Sequence, residues 1–66
     1  MADNPFKSGM RVRAKSDVQD WRTGRLMKAG TLGTVTMYYP YTVEVRPDGK
    51  KLTIETNKLT ALEQIK

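Results

Sequence analysis

The chain's 66 residues amount to less than half of a typical domain, so it is expected to hold one domain at most, with no room for a cofactor fold joined to a substrate fold. It contains no cysteine and no histidine, which removes disulfide frameworks, zinc-finger ligation and any nucleophile–base pair built on those side chains. Twelve lysines and arginines against seven acids give a net charge of +5 and a pI near 9.8, a balance that favours polyanionic or acidic partners.

Hydrophobic residues make up 38% and charged residues 29%, enough for a small core but short of the apolar excess of a membrane protein. No stretch approaches the run of about 20 apolar residues that spans a bilayer. The opening MADNPFK lacks the apolar centre of a signal peptide. A cytoplasmic, soluble module without a membrane partner is therefore expected. Its charge is uneven: Lys7, Arg11, Arg13, Lys15, Arg22, Arg25 and Lys28 face only Asp17 and Asp20 within residues 7 to 28, which carry the whole +5. Residues 29 to 66 are nearly neutral, and Lys50 and Lys51 in that remainder are expected to be bystanders.

In chain order, residues 1–8 show no periodicity and read as a flexible N-terminal tail with Phe6 as an anchor, followed by one domain over residues 9–66. Arg11 to Lys15 alternates strictly. Val12 and Ala14 take one face of a half-buried strand, and Arg11, Arg13 and Lys15 take the other. Ser16 to Gly30 has no sustained period and contains Asp17, Asp20, Gly24 and Gly30, so it reads as a long, partly ordered loop of the kind that carries function.

Thr31 to Met37 is rich in β-branched residues and predicts a second strand, with Val35 and Met37 on the side of Gly33. An aromatic connector follows at Tyr38, Tyr39, Pro40 and Tyr41. Thr42 to Arg46 is a third strand with Val43 and Val45 inward. Pro47-Asp48-Gly49 is a hairpin signal, since proline presets one turn dihedral and glycine accepts the left-handed one. Lys51 to Thr56 is a fourth strand with Leu52 and Ile54 inward. Asn57 to Thr60 reads as a tight or 3₁₀ turn, and Ala61, Leu62 and Ile65 close the chain as a short fifth strand. The expected core is Val12, Val35, Val43, Val45, Leu52, Ile54 and Leu62.

This order is all-β and resembles a five-stranded SH3-like barrel with a long first loop and one 3₁₀ turn before the last strand, covering residues 9 to 65. Gly9-Met10-Arg11-Val12-Arg13 and Lys28-Ala29-Gly30-Thr31-Leu32-Gly33-Thr34-Val35 resemble the opening and glycine-punctuated centre of KOW modules. Ile54-Glu55-Thr56-Asn57-Lys58-Leu59-Thr60-Ala61-Leu62-Glu63 is similar to the end of the photosystem I family of small basic SH3-like barrels, which serve as docking subunits. Gly9 to Ser16 and Leu62-Glu63-Gln64-Ile65 also look like the ends of plasmid-type dihydrofolate reductases. There the sequence departs from the family: Leu52-Thr53-Ile54-Glu55 stands where that activity needs Val-Gln-Ile-Tyr.

The available acids and bases are carboxylates, and Asp17 with Asp20 is the closest pair; such a pair beside a basic strand ordinarily solvates a loop or meets Arg22 or Arg25. Gly30 to Gly33 lacks the Gly-Lys-Ser/Thr ending of a phosphate-cradling loop. No enzyme activity, cofactor, metal or small-molecule substrate is expected. The constellation that points to a ligand is cationic and aromatic. Arg11, Arg13 and Lys15 lie about 6.6 Å apart along one strand face, so that three cations can follow a nucleic-acid backbone. Arg22, Arg25 and Lys28 adjoin them, and Trp21 and Tyr39 could stack bases. The expected function is a binding adaptor for nucleic acid through Arg11, Arg13, Lys15, Trp21, Arg22, Arg25, Lys28 and Tyr39. The alternative is a docking module for an acidic protein surface within a larger complex.

Overall fold

Alternating valines build the centre of the molecule, as seen in a computed structural model that describes residues 4–65. The elements are β1 (Arg11–Ala14), β2 (Val18–Gln19), β3 (Leu26–Met27), β4 (Leu32–Tyr38), β5 (Val43–Pro47), β6 (Ile54–Thr56), a 3₁₀ turn (Leu59–Ala61) and β7 (Leu62–Gln64). Five strands form one antiparallel sheet in the order β6-β5-β4-β1-β7, and β2 and β3 form a separate two-stranded ribbon. The described residues are all-β, with seven strands where five were expected. The extra two are the ribbon, which gives order to the segment read as a loop. No ladder joins β6 to β7 among the described residues, so the closed barrel of the expectation is not found.

Inward parity places Val12, Val35, Val43, Val45, Ile54 and Leu62 in the core, joined by Ala14, Val18, Met27, Ala61 and Phe6. Residues 4–8 of the expected tail touch the domain at several points. Phe6 is buried, the Asn4 side-chain amide donates to the carbonyls of Tyr39 and Thr42, and the Ser8 hydroxyl donates to that of Thr36. Residues 1–3 of the expected tail lie outside the described residues.

Two inward assignments are overturned. Met37 is 47% exposed because the register between β4 and β5 shifts between Val35 and Met37. An extra residue on one strand reverses the alternation beyond it. Thr36 occupies the shift, and its hydroxyl donates to the Glu44 carboxylate at 2.8 Å. Leu52 is 59% exposed because β6 begins only at Ile54, so residues 48–53 form a connector outside the sheet instead of extending a tight hairpin.

The turn itself closes where expected, with the Lys50 amide donating to the Pro47 carbonyl at 3.1 Å. Pro47 therefore occupies the first corner of the turn and not the second. It is buried as the last inward residue of β5. Gly49 has φ +77°, and a β-carbon there would meet no described atom within 4 Å, so any penalty is purely one of backbone conformation. Gly49→Val is expected to cost about 1–2 kcal/mol in thermal or urea unfolding. Asp48→Asn, which gives up only an exposed ion pair, should shift the midpoint much less. Equal effects of the two changes would contradict this backbone account.

Candidate nucleic-acid interface

The outward face of β1 carries Arg11 and Arg13, as alternation requires, but both guanidinium groups are already engaged. Arg11 forks onto Asp48, with its two Nη groups each 2.7 Å from a carboxylate oxygen, and also donates to the Thr34 hydroxyl at 2.9 Å. The hydrogen bond from Arg11 holds the Asp48 carboxyl below the usual carboxylate value, and the same bond raises Arg11. Arg13 donates from Nε to Glu63 at 2.8 Å, with Nη2 2.7 Å from the same oxygen. The partners lie on the β5–β6 connector and on β7, so neighbours of β1 neutralise two members of the expected cationic row. Among the described residues only Lys15 of that row has no ion-pair partner.

The ribbon is built around Asp20, which is 1% exposed. One carboxylate oxygen accepts from the Glu55 amide at 2.6 Å; the other accepts from the Arg22 amide, the Thr23 amide and the Thr23 hydroxyl at 3.1, 2.7 and 2.8 Å. Burial alone would raise the Asp20 carboxyl. The Glu55 and Thr23 hydrogen bonds and the nearby Arg22 charge outweigh it and hold the group well below the usual range. Arg22 lies 3.5 Å from Asp20 and 3.7 Å from Glu55, so this third expected ligand cation is also spent internally. Trp21, expected to stack bases, is 65% exposed. Its indole N–H donates to Glu55 Oε2 at 2.9 Å and its amide to the Glu55 carbonyl at 3.1 Å.

The remaining cations of the ribbon meet partners that the sequence pattern did not indicate. Arg25 donates from Nη2 to the Thr53 carbonyl at 2.7 Å, while its buried Nε has no hydrogen-bond partner in the described structure. That contact fastens β3 against residues 50–54. Between them runs a groove of about 740 Å³ lined by Arg25, Lys28, Lys50 and Lys51, with Leu26 and Leu52 among its apolar walls. Among the described residues no acidic side chain lines it. Lys50 and Lys51, expected to be bystanders, thus line the same groove as Arg25 and Lys28. The signal that could have found them is the lysine pair directly after a turn, where charged residues are solvated and can converge on a neighbouring loop.

Tyr39 is not brought to this groove. It sits on the connector before β5, whereas Lys50 and Lys51 follow the other end of that strand, roughly 13 Å away along five residues. Tyr41 and Pro40 instead border a hollow beside Asn57 and Leu59. Asp17 and Asp20 do not converge as a dyad, since Asp17 accepts from the Ala29 amide while Asp20 is enclosed in its own clasp. Among the described residues there is no group of three or more acidic side chains positioned to hold a metal. Nor is any described helix long and apolar enough to cross a membrane.

No family model, curated protein or solved structure matches this chain. What the site can do is therefore argued from its chemistry. Four cations around an apolar trough, with no described carboxylate to compete, attract an anion that also offers apolar surface. The outward face of β1, where arginines and acids alternate across strands, offers much less net field.

Proposed function

We propose that this chain is a non-enzymatic adaptor of SH3-like architecture that binds nucleic acid in the groove formed by Arg25, Lys28, Lys50 and Lys51. The observation that carries this reading is the segregation of charge: these four cations share a groove without an acid among the described residues, whereas Arg11, Arg13 and Arg22 are each held by carboxylates. The architecture is supported by the long excursion between β1 and β4, the β4–β5–β6 meander, and the 3₁₀ turn immediately before the last strand. The proposed nucleic-acid surface keeps Arg25 and Lys28 of the expected strand-and-loop face and takes Lys50 and Lys51 in place of the β1 cations. The absence of catalysis is proposed on the sequence, which has no histidine or cysteine and departs from the reductase pattern at Leu52 to Glu55.

A steep salt dependence tests the reading. If the four groove cations meet phosphates, the logarithm of affinity should fall against the logarithm of salt with a slope of about −2.8 on single strands and about −3.6 on duplex. Fluorescence anisotropy with labelled oligonucleotides at about 20 to 200 mM salt brackets the screening range. Lys51→Glu is expected to weaken binding and flatten the slope, and Arg13→Glu to do so much less. Absence of binding at the lowest salt, or equal losses for the two reversals, would overturn the groove as a nucleic-acid site.

One observation favours a second reading. Leu26 is 51% exposed and Leu52 59%, and both line the cationic groove, which suits an acidic protein segment carrying apolar side chains. A docking module of this kind would show affinity with weak salt dependence, because a packed apolar contact is little screened.

A further inference from the structure

Resting on the nucleic-acid reading of the groove, we infer that the protein selects single strands, with the indole of Trp21 as the platform on which one unpaired base stacks. Trp21 is the only tryptophan in the chain and is 65% exposed, yet it is not loosely held. Its ring nitrogen and its amide both bond Glu55, a residue on β6, so the ring is fixed against the sheet before any ligand arrives. Glu55 is itself buried and has Arg22 beside it, and the neighbouring Asp20 fastens the turn that presents the ring. A ring held this way loses little freedom when a base settles on it.

The ring is also reachable from the cationic groove. Leu26 lines that groove and equally lines the smaller hollow of about 530 Å³ that borders Trp21. A strand with its phosphates among Arg25, Lys28, Lys50 and Lys51 can therefore pass a base across Leu26 toward the indole. Charge sorts the two parts of the path. The hollow is bordered by Asp17 and, among the described residues, by Lys58 as its one cation, which suits a neutral base better than a phosphate. A duplex keeps its base faces inside the stack and would have to unpair to use the ring. Apolar walls beside the phosphate-binding cations fit splayed bases for the same reason.

The single tryptophan makes the test direct. Intrinsic fluorescence and anisotropy would be followed with an oligothymidine of about twelve nucleotides, a size within the range of small single-strand modules, with a duplex of equal length and with inorganic polyphosphate. Saturable quenching is expected with the oligothymidine, and binding without quenching with polyphosphate. Trp21→Ala should weaken oligothymidine binding by about tenfold, as expected for one lost stacking contact, and leave polyphosphate affinity unchanged. Trp21→Phe removes the indole bond to Glu55 but keeps the backbone bond and an aromatic face, so it should lose clearly less single-strand affinity than Trp21→Ala. A loss in Trp21→Phe as large as in Trp21→Ala would overturn the stacking role, with thermal melts of both variants checking that each is folded. Polyphosphate binding accompanied by unquenched oligothymidine binding, or by duplex preference, would overturn this inference alone. Failure of polyphosphate and both oligonucleotides to bind would overturn the groove and this inference together.

Discussion

Replacing Asp20 with alanine is expected to remove a large part of the stability of the fold. The carboxylate accepts three backbone amides and one hydroxyl, among them the Glu55 amide on β6, and so links the ribbon to the main sheet. Hydrogen bonds to a charged acceptor contribute about 1.5–3 kcal/mol each, and buried amides left without a partner cost more than the bond itself was worth. The loss should reach about 3 kcal/mol at neutral pH, against a total of about 3–10 kcal/mol for a domain of this size. That corresponds to a fall in melting temperature of about 12–24 °C. Asp20→Asn should not rescue it. Both oxygens accept from N–H or O–H groups, so an amide nitrogen in either place opposes a donor with a donor.

The same residue sets an acid limit. Its folded value lies below the ordinary carboxylate value of about 3.9, so its contribution is fully present above that pH and is lost as pH falls through the folded value. Stability of the native protein is expected to decline below about pH 4, while Asp20→Ala declines less over the same interval. Urea midpoints measured at neutral pH and under acid conditions check both statements. An unchanged midpoint for Asp20→Ala at neutral pH would show that the ribbon is not fastened through this carboxylate.

Gly33→Ala is expected to be nearly as damaging, for a reason of space. Gly33 lies opposite Pro47 in the β4–β5 ladder, and a β-carbon on it would stand 2.7 Å from Val45 Cγ1 and 2.9 Å from the Arg46 carbonyl oxygen. Val45 is a β-branched residue in the core and has little freedom to turn aside, and the carbonyl belongs to the strand itself. The two strands must separate where they carry the centre of the sheet. Such overpacking costs about 1–3 kcal/mol, and here the upper part of that range is expected because backbone has to move. Chemical denaturation of Gly33→Ala checks this. A midpoint equal to the native one would mean that β4 and β5 do not approach this closely. Binding to the cationic groove should survive in the folded fraction, since Pro47 and the connector after it keep their lining residues.

Local pattern was sufficient wherever a strand met its neighbours in simple register. Alternation alone assigned Val12, Val43 and Val45 to the interior and Arg11 and Arg13 to the outer face, because side chains point to opposite sides with a period of two. The turn at Pro47 to Lys50 and the 3₁₀ turn before β7 were legible from residue chemistry of the same short range. The uneven charge was legible too. What the pattern could not carry was parity beyond the irregularity at Thr36, which turned Met37 outward, or the late start of β6, which left Leu52 in solvent.

The site depended almost wholly on contacts between distant residues. Arg11 meets Asp48, 37 positions away, and Arg13 meets Glu63, 50 positions away, so two cations that look free in sequence are compensated in space. Arg25 reaches Thr53 across 28 positions, and Lys28, Lys50 and Lys51 line one groove beside that contact. A run of sequence records how many charges a segment owns. Which of them remain available to a ligand is decided by the strands that pair beside it, because neutralisation requires an opposite charge within a few ångströms and not within a few residues.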